Sequence, residues 1–261
     1  MAKIINAKKK FFGTDGIRGP ISSKTSPDFI LKLGWATGEV FKKQGITSFI
    51  IGKDTRISGY MLEAALQAGI ISSGLNVSLV GPMPTPAISY LVSTFKSQAG
   101  IVISASHNSY EDNGIKFFDD RGQKISDELE LLIEQKISEP IIVVEPQNLG
   151  KAARLSDASG RYIEYCKNTF SKDLSLKNMK IVIDTANGAA YDVAPKVFKE
   201  LGAEVVAISD DPNGLNINEN CGSSDLNVLK KAVLDNDADF GVALDGDGDR
   251  LILVDSEAKA L

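Results

Sequence analysis

The stretch Asp239-Phe240-Gly241-Val242-Ala243-Leu244-Asp245-Gly246-Asp247-Gly248-Asp249-Arg250 changes character at its midpoint. Its first half is a short apolar run, the pattern of a strand buried on both faces. Its second half sets carboxylates at alternating positions, projecting to one side of an extended loop, with glycines between them that leave room for a close approach. Three like charges so near repel one another unless a cation sits among them. Ligands that are all oxygen suit a hard cation, Mg²⁺ or Ca²⁺. An EF-hand also opens on alternating acidic residues, but it needs glycine at the sixth loop position and glutamate at the twelfth. Those positions are Arg250 and Ser256, and the flanks read as strands rather than helices. A solvated acidic turn is the plainer alternative, and the apolar strand feeding straight into the loop weighs against it.

The same alternation of short apolar runs and longer amphipathic ones extends through the chain. Strands are expected over 48–51, 77–80, 100–103, 115–118, 180–184, 204–208 and 250–254. Helices are expected over 60–73, 84–94, 126–137, 158–170, 189–201 and 225–235. Gly74 stands where a helix C-cap belongs, and Ser126 where an N-cap belongs. Pro140, Pro146 and Gly150 break the periodicity, which places a linker over 141–150. The pattern predicts an α/β protein of two successive three-layer α/β/α domains with mixed, mostly parallel sheets. Their expected extents are 1–153 and 154–257, with 258–261 leading onward. In such sheets chemistry collects beyond the carboxyl ends of strands. The two most unusual loops, 104–108 and 245–250, lie at such ends.

Bulk properties narrow the function. Of the 261 residues, 43% are hydrophobic and 24% charged, enough for a sizeable core. A net charge of -5 argues against nucleic acid and against an anionic membrane surface as partners. Cys166 and Cys221 form no CxxC pair, so neither a disulfide framework nor a structural zinc site is expected. The basic opening, Met1 to Lys10, lacks the apolar core of a secretory signal, and no run approaches the ~20 apolar residues of a spanning helix. A cytoplasmic location is expected.

Several shorter motifs carry chemistry. Ser106 and His107, the one histidine of the chain, adjoin in Ser104-Ala105-Ser106-His107-Asn108. A serine beside an imidazole is either a nucleophile with its base or a turn with a surface histidine, and the spacing alone does not choose. Thr14-Asp15-Gly16-Ile17-Arg18-Gly19 is a glycine-flanked loop whose Arg18 suits a phosphate, or a surface salt bridge. Asn113-Gly114-Ile115-Lys116 aims Lys116 from a turn into a strand. In Gly52-Lys53-Asp54-Thr55-Arg56, Asp54 and Arg56 read as braces between loops.

Taken in order, Phe12-Gly13-Thr14-Asp15-Gly16-Ile17-Arg18-Gly19, Ser104 to Asn108 and Asp245 to Arg250 resemble the α-D-phosphohexomutase superfamily. The opening motif, together with Asp112-Asn113-Gly114-Ile115-Lys116-Phe117-Phe118 and Asn220-Cys221-Gly222-Ser223, looks most like its bacterial phosphoglucosamine branch. The resemblance implies that Ser106 bears a phosphoryl group. It implies one Mg²⁺ held by Asp245, Asp247 and Asp249 with the phosphoserine at Ser106. His107 and Lys116 then assist proton transfer, while Arg18, Lys116 and Arg250 bind phosphate. The implied reaction interconverts glucosamine 6-phosphate and glucosamine 1-phosphate through a hexosamine 1,6-bisphosphate, toward UDP-N-acetylglucosamine and cell-wall precursors. The implied partner is a small phosphosugar, with a homodimer left open. A mutase of mannose or glucose phosphates, and a non-catalytic metal- or phosphate-binding module, are the competing readings. One departure is Ser109, where the family usually has proline. The family has four domains, so the chain reads as the first two and is expected to be inactive alone.

Overall fold

The computed structural model describes residues 9–22, 25–95 and 98–261; the basic opening falls outside them apart from Lys9 and Lys10. Among the described residues ten strands sort into two sheets. The first contains β1 (Ile17–Pro20), β2 (Ser48–Lys53), β3 (Asn76–Pro82), β4 (Gln98–Ile103), β5 (Asp112–Phe118) and β6 (Ala152–Arg154), in the order β1-β5-β4-β2-β3-β6. β2 pairs parallel with β3 and β4, and β3 parallel with β6, while β5 pairs antiparallel with β4 and β1. The second contains β7 (Lys180–Asp184), β8 (Glu204–Ile208), β9 (Phe240–Leu244) and β10 (Leu251–Asp255), in the order β10-β9-β7-β8. Only its β9–β10 pair is antiparallel.

Helices cover both faces of each sheet. α1 (Pro27–Lys42), α2 (Ser58–Ser72) and α4 (Asp127–Ile137) bury one face of the first sheet around Phe41, Phe49, Leu66 and Ile133. α3 (Thr85–Thr94) and α5 (Ala158–Thr169) bury the other, around Ile50, Ile88, Val102 and Ile163. In the second sheet α7 (Asn227–Asp235) packs against Val182 and Ala243, and α6 (Val193–Glu200) against Ile183 and Val242. Every residue of β2 is buried, the expected fate of a central parallel strand covered by helices on both sides. No described helix is long and apolar enough to cross a membrane.

Local signals explain most boundaries. Ser126 caps α4, its hydroxyl accepting from Leu129 N. Gly74, at φ 95°, follows α2 in the left-handed conformation that closes helices. The expected helix over 189–201 starts later, at Val193, because Gly188 to Asp192 are turned back by a bond from Ala189 N to Gly246 O. The segment 141–150 does not hang free. It is tied to the first unit by Trp35 Nε1 to Ile142 O (2.9 Å), Val144 N to Ser72 O (3.1 Å) and Gly150 N to Ile71 O (3.2 Å).

Three elements carry no signal in the sequence: α1, β1 and β6, the last a three-residue exposed strand beside β3 at the edge of the first sheet. α1 is hidden because Gly34, Thr37 and Gly38, all on its buried side, interrupt the helical signal of its apolar residues. β1, only four residues long, owes its strand geometry to β5 alongside it.

Candidate active site

β4 ends at Ile103 and β9 at Leu244, and the loops beyond those two ends meet. Ser106 is 3% exposed and sits at φ 52°, a left-handed backbone that an L-residue adopts only when its surroundings impose it. Those surroundings are polar throughout. Ser106 N donates to Ser104 Oγ at 2.9 Å. The Ser106 hydroxyl donates to Asp245 Oδ2 at 2.7 Å and lies 3.4 Å from His107 Nδ1. Arg56, wholly buried and paired with Asp54, donates to the carbonyls of Ser106, Asn108 and Ser109.

The acidic loop is not extended, as its alternating pattern had implied. Gly248 N bonds back to Asp245 O at 3.0 Å, and Asp249 N and Arg250 N both donate to Asp245 Oδ1 at 3.2 Å. This turn, rather than strand alternation, gathers the carboxylates of Asp245, Asp247 and Asp249. One oxygen from each lies within 4.8 Å of the others. A side chain at Gly246 would stand 2.6 Å from Ser106 O, so only glycine lets the acidic loop seat against the serine loop.

The electrostatics of the three carboxylates are uneven. Burial and the charges of Asp247 and Asp245 push Asp249 up to about 6. Burial and the Asp247 charge raise Asp245 as well. Burial also works against ionised Asp247, but the Lys116 ammonium and hydrogen bonds from Lys116 and Thr85 outweigh it and hold Asp247 below the ordinary carboxylate range. Asp247 Oδ2 accepts from Thr85 Oγ1 (2.6 Å) and Lys116 Nζ (2.8 Å), whereas its buried Oδ1 has no partner. An orphaned carboxylate oxygen facing two further carboxylates fits a hard divalent cation such as Mg²⁺.

Cations ring this centre. Lys116 Nζ lies 3.3 Å from Asp15, 2.8 Å from Asp247 and 3.6 Å from Asp249. Burial alone would lower its pKa, but these charges, Asp247 first, raise it, so it stays an ammonium. Arg18 reaches the serine loop, donating to Ala105 O and Asn108 Oδ1. Arg250 stands at the rim, 61% exposed, with its nearest carboxylate oxygen on Asp249 at 3.9 Å. Partial burial and the charges of Arg250 and Arg18 lower the His107 pKa, favouring a neutral imidazole.

Ser106, His107, Lys116, Asp245, Asp247, Asp249 and Arg18 are thus gathered from four separate stretches, with Arg250 at the edge. Three contributors had no signal in the sequence reading. Thr85, at the start of α3, donates its backbone N to Asp247 O at 2.9 Å as well as its hydroxyl to the carboxylate. Asp15 stands in the glycine-flanked loop over 14–19 with nothing to set it apart from a surface carboxylate. Asn218 sits among Asn213, Asn216 and Asn220, and nothing in that run marks it out. Its Nδ2 donates to Ser106 O and Asn108 O, both at 2.9 Å.

Comparison with known proteins places this geometry. The family described as phosphoglucomutase/phosphomannomutase, alpha/beta/alpha domain I, matches residues 9–141, and its domain II matches residues 160–258. A protein named phosphoglucosamine mutase from Aliivibrio fischeri is 59% identical over 95% of the chain and 56% of its own length. One of the same name from Coxiella burnetii is likewise 59% identical, over 95% of the chain and 56% of its own length. The chain therefore spans about half the length of these curated relatives. A solved structure described as a putative phosphomannomutase from Thermus thermophilus superposes with a TM-score of 0.84 at 28% identity, covering 97% of the chain and 58% of that protein.

Proposed function

The chain belongs to the phosphoglucomutase/phosphomannomutase family, and we propose that the protein acts as a phosphoglucosamine mutase, interconverting glucosamine 6-phosphate and glucosamine 1-phosphate with Ser106 as phosphoryl carrier. The observation that carries this reading is the Ser106 hydroxyl, buried and 2.7 Å from Asp245 in a triad of carboxylates, with Lys116 and Arg18 beside it. The choice of glucosamine rests on the 59% identical relatives that bear that name.

Phosphoryl transfer depends on positioning and charge neutralisation more than on covalent participation by the protein. Asp245, Asp247 and Asp249 would hold Mg²⁺, which when bound neutralises phosphate charge and polarises its oxygens. The chain's own groups do the rest. Arg18, Lys116 and Arg250 supply positive charge to a phosphoserine carrying about -1.5 to -2 charges at neutral pH. In the forward step the bond from phosphorus to Ser106 Oγ breaks and one to the free sugar hydroxyl forms. The hydroxyl loses a proton, and Ser106 Oγ gains one before it attacks again from the other end of a hexosamine 1,6-bisphosphate. His107 Nδ1, 3.4 Å from Ser106 Oγ, is placed to hold that proton. Lys116, engaged by three carboxylates, is placed as a fixed cation instead. On the same reading we divide the chain into a phosphoserine domain over 1–153 and a metal domain over 154–257, with the end of β6 and α5, which pack on the first sheet, forming the seam between them.

Ser106→Ala in the complete protein is expected to abolish turnover of glucosamine 6-phosphate while leaving the fold intact by circular dichroism. Near-parental turnover would overturn the carrier assignment. Higher turnover of mannose 6-phosphate than of glucosamine 6-phosphate in the parent would keep the mechanism and change the substrate.

A further inference from the structure

Asn218 lies in the segment between β8 and α7, in the second unit, whereas Ser106 follows β4 of the first. Its amide nitrogen reaches across to Ser106 O and Asn108 O, both at 2.9 Å. Arg56 Nη2 donates to the same two carbonyls, at 3.1 Å and 2.5 Å, from the end of β2. Each carbonyl is therefore held once from each sheet's unit. The two donors arrive on rigid supports. Arg56 is wholly buried against Asp54, which also accepts from its backbone N at 3.0 Å. Asn218 N donates to Ala186 O at 2.8 Å, and a side chain at Gly246 would stand 2.6 Å from Asn218 Nδ2. The amide thus sits in contact with the turn that carries the carboxylates.

A left-handed serine is a costly conformation that persists only where neighbours over-determine it. The paired donors on its carbonyl are those neighbours. We infer that Asn218 is a positioning residue: its amide, opposite Arg56, locks the Ser106 backbone and sets where Oγ stands relative to the acidic turn. The inference rests on Ser106 as the phosphoryl carrier. It adds a coupling between the two units, since the residue that fixes the serine loop belongs to the unit that bears the carboxylates.

Two variants separate the amide from the backbone it hangs on, because Asn218 is itself left-handed at φ 59°. Asn218→Gly favours that backbone and removes the donor. Asn218→Asp keeps the shape but turns a charged acceptor toward two carbonyls. In the complete protein, Asn218→Gly removes both bonds to the serine loop and is expected to lower kcat about tenfold through misplacement of Oγ, with KM for the sugar phosphate little changed. Asn218→Asp is expected to fall further. Amide hydrogen exchange over 104–109 is expected to accelerate in both, while β4 stays protected. Parental kcat and parental exchange in Asn218→Asp would overturn the inference, since a space-filling role tolerates that change. Ser106→Ala assayed alongside reads the carrier assignment separately: turnover surviving there discards that assignment, whereas unchanged exchange in the Asn218 variants discards the clamp.

Discussion

One carboxylate oxygen of Asp247 takes bonds from Thr85 and Lys116, and the other takes none. That asymmetry is what a metal ligand looks like when its structural half is satisfied and its functional half is left facing its neighbours. Asp249 shows the complementary effect. Its pKa, pushed up to about 6 from an ordinary 3.8 by burial and by the charges of Asp247 and Asp245, means that the metal-free fold holds a proton the unfolded chain releases. A raised carboxylate pKa lowers stability as pH climbs between those two values, and the penalty persists above them. Asp249→Asn removes it. In chelator above pH 6 the variant is therefore expected to melt higher than the parent, with the gap closing as pH falls toward 4. Saturating Mg²⁺ is expected to reverse the order. A gap that stays constant across this range would show that Asp249 is not strained by its neighbours. Paired thermal melts at several pH values make the comparison.

Elements are seated by contacts that side-chain patterns do not display. α1 and α2 cross so closely that a side chain at Gly34 would stand 2.5 Å from Leu66 O, and one at Gly69 would stand 2.6 Å from Trp35 N. Both obstacles are backbone atoms, which cannot swing aside. Alanine would raise helix propensity at Gly69 by about 1 kcal/mol, but the collision forces the helices apart and overpacking of this kind costs about 1–3 kcal/mol. Gly69→Ala is expected to be net destabilising, by a lower urea midpoint at unchanged slope. An unchanged or higher midpoint would mean that the helices separate without penalty. Gly34 and Gly38, the glycines of α1 itself, explain why that helix is invisible in the sequence. They weaken the local helix signal for the sake of a packing partner that no single-helix pattern contains. The strands of the second sheet, by contrast, were legible almost to the residue. Lys180–Asp184, buried along all but its first residue, and Glu204–Ile208, a half-buried edge strand, are both short apolar runs rich in β-branched residues.

Across the whole molecule the two sheets present the carboxyl ends of their strands to one shared cluster of loops. Thr55 Oγ1 donates to Asn187 O, Ile57 N to Gly214 O at 2.9 Å, and Thr85 N to Asp247 O at 2.9 Å. Of the residues with distinctive chemistry, the acidic triad was legible from its local pattern, whereas Ser106, Arg18 and Lys116 were legible only through the ordered motifs that resemble one superfamily. Spacing by itself could not show their convergence, since it depends on which loops face one another across the two units. Thr85 and Asn218 stayed hidden for that reason: a threonine after proline and one asparagine among four acquire meaning only from what lies opposite.

The central claim is that Ser106 accepts and donates a phosphoryl group beside a divalent-metal site. Intact mass measurement of the complete protein, incubated with Mg²⁺ and a hexose 1,6-bisphosphate, tests it most directly. The parent is expected to gain the mass of one phosphoryl group, to lose it on adding the sugar monophosphate, and to gain none when Ser106 is alanine or when metal is chelated. A phosphoryl group that still appears in Ser106→Ala, or no labelling of the parent under any condition, would contradict it.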